Sequence, residues 1–524
     1  MGSGLSLRDR GDSDRSDFGN TRGRCRPARK RQRSVDQACF LLVDAQFSIT
    51  GKPSVDMLLL VAALNFVLYL WLRTLSGWES KTQIVAASLA VALQAILVAS
   101  VQMEGVLGNG RPVFAWRWAP LPADEFVLSS ESVSNAIELP ETATWPQFRG
   151  ENRAGITAEP ISNWKTYPPE FMWKQPIGAG WSSFAVAGQF CFTLEQRGDQ
   201  ECLVGYRIAD GKQMWINSRI ERFSEISGGE GPRSTPTFDN GLLYSLGATG
   251  MLQCVDASNG GMIWDTDALQ FNDGTNCLFG MCGSPLVTDN KVIVGPGGKG
   301  CSLVAFDKHN GDLVWKSGDA DASYSSPVRM QLCGVDQVLN FNGDGLDSHD
   351  LETGVVLWHI DWVSNEDEKN NVCQPIQLSD DEVFLSSAYG MGCARIRVTH
   401  EDDNWKTSFV WQNMNLKSKF SSAVFDGNNI FGLDLGILVC LDPTTGKRIW
   451  KNGRYAHGQF IKVGDYLVVQ SEKGFVAQAV AAADGFKETG RVKGLRHRTW
   501  THPVIADGIL LIRNDREMAA YRMK

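Results

Sequence analysis

The residues of this chain that could do chemistry are single aromatic, basic and imidazole side chains, each lying just before an apolar segment. Aromatic faces stack on planar or apolar ligands, and cationic groups pair with carboxylates. Seven such residues occupy comparable places in successive segments: Trp181, Arg233, Tyr324, Lys419, His457, Trp500 and His502. Side chains of these types favour binding of a ligand, and we assign no catalytic residue.

Motifs that would hold a phosphate or a metal ion are incomplete. The stretch GPGGKGCS from Gly295 lacks the register of a phosphate-binding loop and lies between two predicted strands. The stretch NFNGDGLDSHDLE from Asn340 begins with Asn and places Leu351 where a calcium loop needs an acid. The 7 histidines are dispersed along the chain. We therefore predict turns at both stretches and no metal site.

The 12 cysteines include no CxxC pair, which excludes the common zinc spacings. Cys191 and Cys202 flank a predicted hairpin turn, and Cys277 and Cys282 share one loop. Either pair could form a disulfide in an oxidising compartment, or all four could be small buried side chains. Both interpretations stay open at the level of sequence.

Composition limits the partners and the architecture. The formal net charge of -8 gives no electrostatic reason to bind nucleic acid, so we expect no nucleic-acid partner. A chain of 524 residues exceeds what one hydrophobic core usually organises. Several domains or a repeat architecture must therefore be present.

The N-terminal part predicts a membrane anchor. Residues 1–50 are mostly polar and basic and are expected to be disordered. Within residues 51–104, the apolar runs Met57–Leu72 and Ile84–Val101 are each near the length that spans a bilayer. A signal peptide is the competing interpretation, but a second apolar run and the lack of a small-residue cleavage site favour two transmembrane helices.

The orientation of this hairpin follows from its nearest charges. Arg73 and Lys81 lie in the short loop between the two runs, and basic residues beside a span favour the cytoplasmic side. We therefore expect the chain after residue 104 on the periplasmic or extracytoplasmic side of the inner (cytoplasmic) membrane. Residues 105–144 contain several Pro and acidic residues without periodicity, which predicts a linker.

A repeat fills the rest of the chain. An acidic residue, a turn, Gly, three residues and Trp recur in five copies, which end at Trp215, Trp264, Trp315, Trp358 and Trp450. The Gly supplies the positive φ of a tight hairpin turn between half-buried strands. Before each copy comes a second module of small residues, often Pro, followed by two apolar strands. Weaker copies bring the count to eight, with the fifth enlarged and the seventh lacking its Trp.

These copies predict an all-β fold, an eight-bladed β-propeller of four-stranded antiparallel blades over residues 145–524. The ring is expected to close by pairing residues 171–178 with residues 510–523. Loops that precede the innermost strands converge around the central channel of a propeller, which is why the seven residues named above are the candidates for a binding site. His457 and His502, in two consecutive blades, are expected to approach each other there.

The repeat copies and the lead-in WPQFRGENRAGI from Trp145 resemble the pyrroloquinoline-quinone-like β-propeller repeat proteins, in particular membrane-anchored bacterial members of planctomycete type. The resemblance implies one of two functions. One branch, a scaffold lipoprotein of outer-membrane protein assembly, binds protein partners. It is anchored through an N-terminal Cys, whereas Cys25 and Cys39 here follow no apolar signal.

The other branch comprises quinone-dependent dehydrogenases, which hold pyrroloquinoline quinone (PQQ) and calcium beside two adjacent bonded cysteines. This chain has no adjacent cysteine pair. Our leading hypothesis is therefore a membrane-anchored, non-catalytic module that binds a protein or small ligand at the channel face, without a cofactor. The alternative is a PQQ-dependent alcohol or sugar dehydrogenase in which Trp181 or Trp500 stacks on the quinone and Arg233 or Lys419 pairs with its carboxylates.

Overall fold

The computed structural model describes residues 65–125, 136–363 and 369–524, apart from residues 68, 72, 75 and 76. The predicted disordered segment 1–50 lies outside the described residues, and so does most of the first apolar run. Near the end of that run, residues 65–67, 69–71 and 73–74 are helical.

One apolar helix, Ser80–Ser100, precedes the β-structure. Its sequence is rich in Ala and Leu, which are strong helix formers, and none of its residues is buried. Within the described residues it is the one helix long and apolar enough to cross a membrane, judged by length and composition. The structure therefore shows one candidate span, and the predicted pair of transmembrane helices is not confirmed.

Eight four-stranded antiparallel sheets form the body of the protein, and the predicted eight-bladed propeller is confirmed. The blades are numbered along the chain, and their strands are given from the innermost outwards. Blades 1 to 4 contain Ala185–Ala187, Phe190–Arg197, Gln200–Arg207 and Gln213–Ile220; Thr237–Asp239, Leu242–Leu246, Met251–Asp256 and Met262–Asp267; Leu286–Val287, Lys291–Val294, Leu303–Asp307 and Leu313–Ser317; and Val328–Leu332, Val335–Phe341, Gly345–Asp350 and Val356–Asp361.

The second half of the ring is built in the same way. Blades 5 to 8 contain Ile376–Ser379, Glu382–Ser387, Gly392–Glu401 and Asn404–Asn413; Val424–Phe425, Ile430–Asp434, Ile437–Leu441 and Arg448–Arg454; Gln459–Val463, Tyr466–Gln470, Val476–Val480 and Glu488–Val492; and Val504–Ala506, Ile509–Arg513, Glu517–Arg522 and Glu170–Pro176. The outer strand of blade 8, Glu170–Pro176, comes from the start of the propeller and pairs with Glu517–Arg522 at its end. The first and last parts of the propeller thereby close the ring.

The repeated Gly and Trp make the contact between neighbouring blades. Trp264 on the outer strand of blade 2 donates from Nε1 to the carbonyl of Lys308 in blade 3. Its ring lies against Gly311, where an added Cβ would meet the indole at 2.7 Å. The same arrangement joins Trp215 to Gly260 and Trp315 to Gly354. The Gly of each turn is therefore required by the Trp of the preceding blade as well as by its own positive φ.

Blade 7 lacks its own Trp, and the N-terminal segment supplies one. Gly490 pairs with Gln478 at the place where other blades carry the Trp. Trp164 packs there, since a Cβ on Gly490 would lie 2.8 Å from the Trp164 Cβ. Its backbone N–H donates to Gln478 Oε1 at 2.8 Å, and its ring is buried in the core that blades 7, 8 and 1 share.

Shorter elements surround the propeller. A hairpin of strands Val101–Val106 and Pro112–Trp116, here called the tip hairpin, follows the apolar helix. It begins at the end of the predicted membrane segment, residues 51–104, and continues into the predicted linker, residues 105–144. A short helix, Pro122–Glu125, comes after it. Strands Ser224–Glu225 and Gly229–Glu230 form a small hairpin, and residues Ala268–Phe271 form a 3-10 helix. Strand Ile156–Thr157 adds in parallel to the innermost strand of blade 7.

Candidate functional site

A ring of polar side chains, here called the girdle, surrounds the channel where the innermost strands begin. Its members occupy one position of the repeat: Ser183, Thr235, Ser284, Ser326, Gln374, Ser422, Gln459 and His502. In the first six, the backbone N–H of one residue donates to the side-chain oxygen of the next, over distances of 2.8–3.0 Å. The girdle thus connects consecutive blades by short hydrogen bonds through groups that would otherwise be buried without partners.

A second ring lies two residues earlier in each blade and faces the upper end of the channel. Its members are Trp181, Arg233, Cys282, Tyr324, Val372, Phe420, His457 and Trp500. All seven residues predicted from the sequence are in these rings or, for Lys419, beside one. Six of them line a single cavity of about 240 Å³. His457 is outside the lining and packs on Phe420, with ring centroids 5.8 Å apart.

The floor of this cavity is the hub segment, residues 145–157. Arg153 is buried, and its Nη1 donates to the carbonyls of Ser284 at 3.0 Å and Pro327 at 2.8 Å. Its Nη2 donates to the carbonyl of Pro285. The Arg149 Nη2 donates to the carbonyl of Ala423 at 2.7 Å. These two guanidinium groups bind the innermost strands of blades 3, 4 and 6 to one central segment.

Burial changes the acidity of both arginines. It lowers the pKa of Arg153 to about 9 and that of Arg149 to about 10. Carbonyl oxygens solvate the guanidinium groups in place of water, so both remain cationic at neutral pH. Phe148 lies between them and the cavity, with its ring 4.9 Å from that of His502 in edge-to-face contact. The floor is therefore aromatic on the cavity side and cationic beneath.

The roof of the cavity is the turn of the tip hairpin, residues 106–111. The Lys419 Nζ donates to the carbonyl of Gly108 at 2.8 Å, and the Gly108 N–H donates to Glu472 Oε1 at 2.5 Å. The Arg498 Nη1 donates to the carbonyl of Val106 at 2.7 Å. The upper end of the channel thus holds a chain turn through its main-chain groups.

Close packing restricts which residue can occupy the centre of this turn. Gly108 is buried, and an added Cβ would lie 2.3 Å from His457 Cγ. Glu472 also accepts a hydrogen bond from Trp500 Nε1 at 2.8 Å. Any side chain at position 108 would therefore displace either the turn or the imidazole.

Aromatic rings and one cation form the wall near the roof. Trp181 and Trp500 have ring centroids 5.0 Å apart. The Arg498 guanidinium lies 5.0 Å from the first ring and 4.4 Å from the second, which is cation–π geometry. Burial lowers the pKa of Arg498. This wall favours apolar or aromatic groups and stabilises a cation of the protein itself.

Both histidines of the site are neutral at physiological pH. Burial lowers the pKa of His457 to about 4, an effect that Glu472 opposes and Lys419 reinforces. Burial lowers the pKa of His502 well below its ordinary value, and the charge of Arg149 adds to this effect. The sequence predicts that His457 and His502 approach each other. Both lie near the upper end of the channel, but His502 lines the cavity and His457 packs behind it on Phe420.

A quinone cofactor can be tested against this arrangement. Pyrroloquinoline quinone is a planar carboxylate-bearing molecule, so its site needs a stacking ring and cations available to its carboxylates. Arg233 already donates to the carbonyls of Gly229 and Gly231, and Lys419 to that of Gly108. In the described part of the chain no three His, Cys, Asp or Glu residues form a group able to hold a metal ion. The residues present do not fit the quinone in this conformation.

The cysteine pairs considered from the sequence are free thiols. Cys191 lies opposite Tyr206 and Cys202 opposite Glu195 on two paired strands, so the two thiols are four positions apart and cannot join. Cys277 and Cys282 share a loop beside the cavity, and burial raises the pKa of each to about 12. Cys191 and Cys202 are buried, whereas Cys277 and Cys282 are partly exposed.

Several residues of the site were not anticipated from the sequence. Arg149 and Arg153 lie in the lead-in that carried the family resemblance, and their positive φ values of 62° and 54° reflect a compact turn that composition does not reveal. Glu472 and Arg498 have no distinctive spacing. The one signal that could have found Arg498 is its place two residues before Trp500.

The fold and the two rings define the class of this protein: a closed eight-bladed propeller with an aromatic cavity in its channel. Residues 199–452 match the family model described as outer membrane protein assembly factor BamB. Together with the eight-bladed fold, this match confirms the predicted similarity to the pyrroloquinoline-quinone-like β-propeller repeat proteins.

A curated relative lies in the other branch. The dehydrogenase subunit of the quinone alcohol dehydrogenase of Gluconobacter oxydans (strain 621H) is 24% identical over 263 residues, which cover 43% of this chain and 32% of the relative. The chain thus spans about a third of the length of the curated relative it matches.

Two solved structures illustrate the range of similar proteins. BamB from Moraxella catarrhalis is 17% identical with a TM-score of 0.48, covering 68% of this chain and 98% of that one. Quinohemoprotein alcohol dehydrogenase from Comamonas testosteroni is 11% identical with a TM-score of 0.43, covering 73% and 81%. The fold assignment rests on the strand pairing of this chain and not on these likenesses.

Proposed function

We propose that this chain is a membrane-anchored, non-catalytic binding module whose propeller, outside the cytoplasm, captures a polypeptide loop of a protein partner at the upper end of its channel. The observation that carries the proposal is the turn of the tip hairpin held there. In the chain itself, this turn occupies the place that a partner loop would take.

The contacts at the roof are suited to recognising a loop rather than a particular side chain. Lys419, Glu472 and Arg498 all bond to main-chain groups of the turn. Hydrogen bonds to the main chain of a loop give affinity with little preference for its sequence. A close packing contact restricts which residue the loop can carry at that position. That contact is His457 against Gly108, so the preferred loop carries a Gly at its centre.

The apolar helix supports the anchored location. It is 21 residues long and apolar enough to cross a membrane, and a span of this length matches the hydrocarbon core of a bilayer. Arg73 and Lys81 lie near the N-terminal end of the helix, which is the end away from the propeller. By the positive-inside rule they favour a cytoplasmic position for that end of the helix and a periplasmic position for the propeller, at the inner membrane.

The experiment displaces the turn of the tip hairpin from the roof of the cavity and then tests whether the same segment, added as a peptide, binds there. The variant Gly108→Ala places a Cβ into the His457 ring and should expel the turn. The full chain in detergent is then titrated calorimetrically with a cyclised peptide of residues 101–116. We expect binding to Gly108→Ala, no binding to the wild type, whose own turn competes at high effective concentration, and weaker binding when Glu472→Gln is added.

The matched control is Asn109→Ala, one residue further along the same turn, where the side chain is exposed. This variant should behave as the wild type. If the peptide gives no heat with Gly108→Ala while the circular dichroism remains that of a folded β-protein, the upper end of the channel does not capture loops and the proposal fails.

The alternative function is a PQQ-dependent dehydrogenase, and it is favoured by the likeness to the Gluconobacter dehydrogenase subunit. Calorimetric titration also distinguishes this alternative from loop binding. Titration of the wild-type full chain with pyrroloquinoline quinone, with and without calcium, should give no heat under the loop-binding proposal. Calcium-dependent binding at micromolar concentration would instead support the dehydrogenase and direct the search to alcohol and sugar substrates.

A further inference from the structure

The outer face of the tip hairpin is aromatic and exposed. Phe114 is 57%, Trp116 49% and Trp118 69% accessible to solvent. The rings of Trp116 and Trp118 stack on each other, with centroids 5.1 Å apart and planes inclined by 8°. Contiguous exposed aromatic surface of this kind marks a site of interaction, because it is costly to leave in water.

Strand register puts these rings on the side away from the propeller. Phe114 pairs with Met103 and Trp116 with Val101, and directly paired residues point to the same face of a hairpin. The opposite face carries Val113 and Glu104, which lie towards the propeller: Glu104 forms an ion pair with Arg516. One face is thus used by the protein, and the other is wholly apolar.

The aromatic face lies level with the end of the apolar helix. The helix ends at Ser100 and continues into the first hairpin strand at Val101 without any linker. The backbone N–H of Arg117, between the two stacked Trp residues, donates to the carbonyl of Ser100 at 2.8 Å. The rings and the last turn of the helix therefore occupy the same level of the molecule.

A second aromatic group marks the other end of the helix. Trp78 lies two residues before the helix begins, is 47% exposed and contacts Trp71. A helix of 21 residues is about 31 Å long, close to the roughly 30 Å of bilayer hydrocarbon. Trp residues concentrate at both boundaries of that layer. The spacing of the two aromatic groups equals the separation of the two boundaries.

We propose that the aromatic face of the tip hairpin, Phe114, Trp116 and Trp118, lies in the headgroup layer of the bilayer and holds the upper end of the channel towards the membrane surface. This inference rests on the membrane anchor of the proposed function and deepens it. A loop captured at the roof must then be presented close to the bilayer, as by a protein partner that is itself in the membrane. Arg117 can pair with lipid phosphate at this level.

Photo-crosslinking of the full chain tests the proposal. p-Benzoylphenylalanine is introduced at Phe114 or Trp116, at Val113 as the matched control on the opposite face, and at Leu93 within the helix. Each protein is reconstituted into vesicles of phosphatidylcholine and phosphatidylglycerol, irradiated and analysed by mass spectrometry. We expect phospholipid adducts at positions 93, 114 and 116 and none at position 113.

The outcomes separate this proposal from the one it rests on. Lipid adducts at position 93 but only protein adducts, or none, at positions 114 and 116 would overturn the interfacial contact and leave the anchor standing. Absence of lipid adducts at position 93 would overturn the anchor as well, without affecting loop capture in detergent. Equal lipid adducts at positions 113 and 114 would show that the hairpin has no membrane-facing side.

A second measurement avoids the bulky photo-crosslinker. Tryptophan fluorescence of the wild type in vesicles should be quenched by lipids brominated near the headgroup. The double variant Trp116→Phe, Trp118→Phe should lose part of that quenching, whereas Trp411→Phe, in the propeller, should not. Unchanged quenching in the double variant would count against the proposal.

Discussion

Arg153 joins separate blades at the centre of the ring through hydrogen bonds to the carbonyls of Ser284, Pro285 and Pro327. Truncation to Met keeps much of the apolar stem but leaves these buried acceptors without a donor. Hydrogen bonds to charged groups contribute about 1.5–3 kcal/mol each, although they are not additive. We therefore expect Arg153→Met to lower the free energy of unfolding by about 3–5 kcal/mol, measured by urea denaturation.

The control for this prediction is Arg207→Met. Arg207 forms an ion pair with Asp210 at the surface, with 38% and 47% of the two side chains exposed, so Arg207→Met should leave the free energy of unfolding almost unchanged. Similar losses in the two variants would mean that the hub segment does not hold the blades together.

His457 gives the site a dependence on pH. Its pKa is about 4 in the folded protein, chiefly because the ring is buried, and about 6.5 in an unfolded chain. Between these values the unfolded state binds the proton and the folded state does not, so stability falls as pH falls through this window. The contribution is complete above about pH 6.5 and amounts to at most about 3 kcal/mol.

The measurement is the unfolding free energy of the wild type and of His457→Gln at pH 7, 5.5 and 4. The difference between the two proteins should shift in favour of the variant as pH decreases, because His502 and all other groups titrate in both. A difference that does not change with pH would show that His457 is accessible to protons in the folded state.

At the level of residues, the sequence predicted which side chains lie around the channel but not what they contact. Trp181, Arg233 and Tyr324 were found because their place in the repeat fixes their place around the channel. Lys419 and Arg233 are cations near the cavity, as expected, yet both bond to carbonyls of the chain itself. The carbonyl that Lys419 contacts lies 311 residues away in sequence, and those that Arg233 contacts lie in the irregular segment just before it. No periodicity encodes either kind of contact.

Among the elements of the fold, the turn glycines test how blades meet. Gly311 has a φ of +77°, and a Cβ there would lie 2.7 Å from the ring of Trp264. Positive φ alone costs a non-glycine residue about 1–2 kcal/mol, and overpacking adds about 1–3 kcal/mol. We expect Gly311→Ala to destabilise the protein by about 2–5 kcal/mol in thermal or urea unfolding.

Gly334 offers the matched substitution. Its φ is +76°, and an added Cβ would meet nothing within 4 Å, so Gly334→Ala should show only the backbone cost. Equal destabilisation by the two variants would mean that the Trp contact between blades moves aside without cost, and that the Gly is kept for its turn alone.

Strands and blades were predictable from the sequence because alternation and turn residues are local signals. The elements outside the repeat that pack against the propeller were not predictable in this way. Trp164 fills the place of the missing Trp in blade 7 from a segment without any repeat signal. The tip hairpin begins at Val101, at the end of the predicted membrane segment, and continues into residues 105–144, where mixed Pro and acidic residues predicted a linker. Both elements form because the propeller offers partners for them, which is a tertiary effect.

On the scale of the whole molecule, the seam between the first and last strands should be the place where the ring opens. Trp173 on the first strand donates to the carbonyl of Ile208 in blade 1 at 2.7 Å. Trp173→Ala removes this contact from the strand that closes the ring. We expect faster hydrogen exchange of the amides in Glu517–Arg522, whose partner strand detaches.

Trp264→Ala is the comparison, since it removes the equivalent contact inside the ring. Each truncation should lower stability by about 3–5 kcal/mol, but only Trp173→Ala should accelerate exchange at the last strand under native conditions. If both variants affect Glu517–Arg522 alike, the seam is no weaker than any other junction.

Ring closure also sets an order of events during synthesis. Lys174 and Glu517 meet across the seam although they are 343 residues apart, so at about 5–20 residues per second the ribosome needs roughly 20–70 s to produce the second partner after the first. Throughout that interval the strand Glu170–Pro176 has no hydrogen-bonded partner strand, and the hub segment has no complete channel to enter. The nascent chain therefore exposes an unpaired strand edge for longer than most domains do, and its successful maturation depends on that edge being shielded until the last blade emerges.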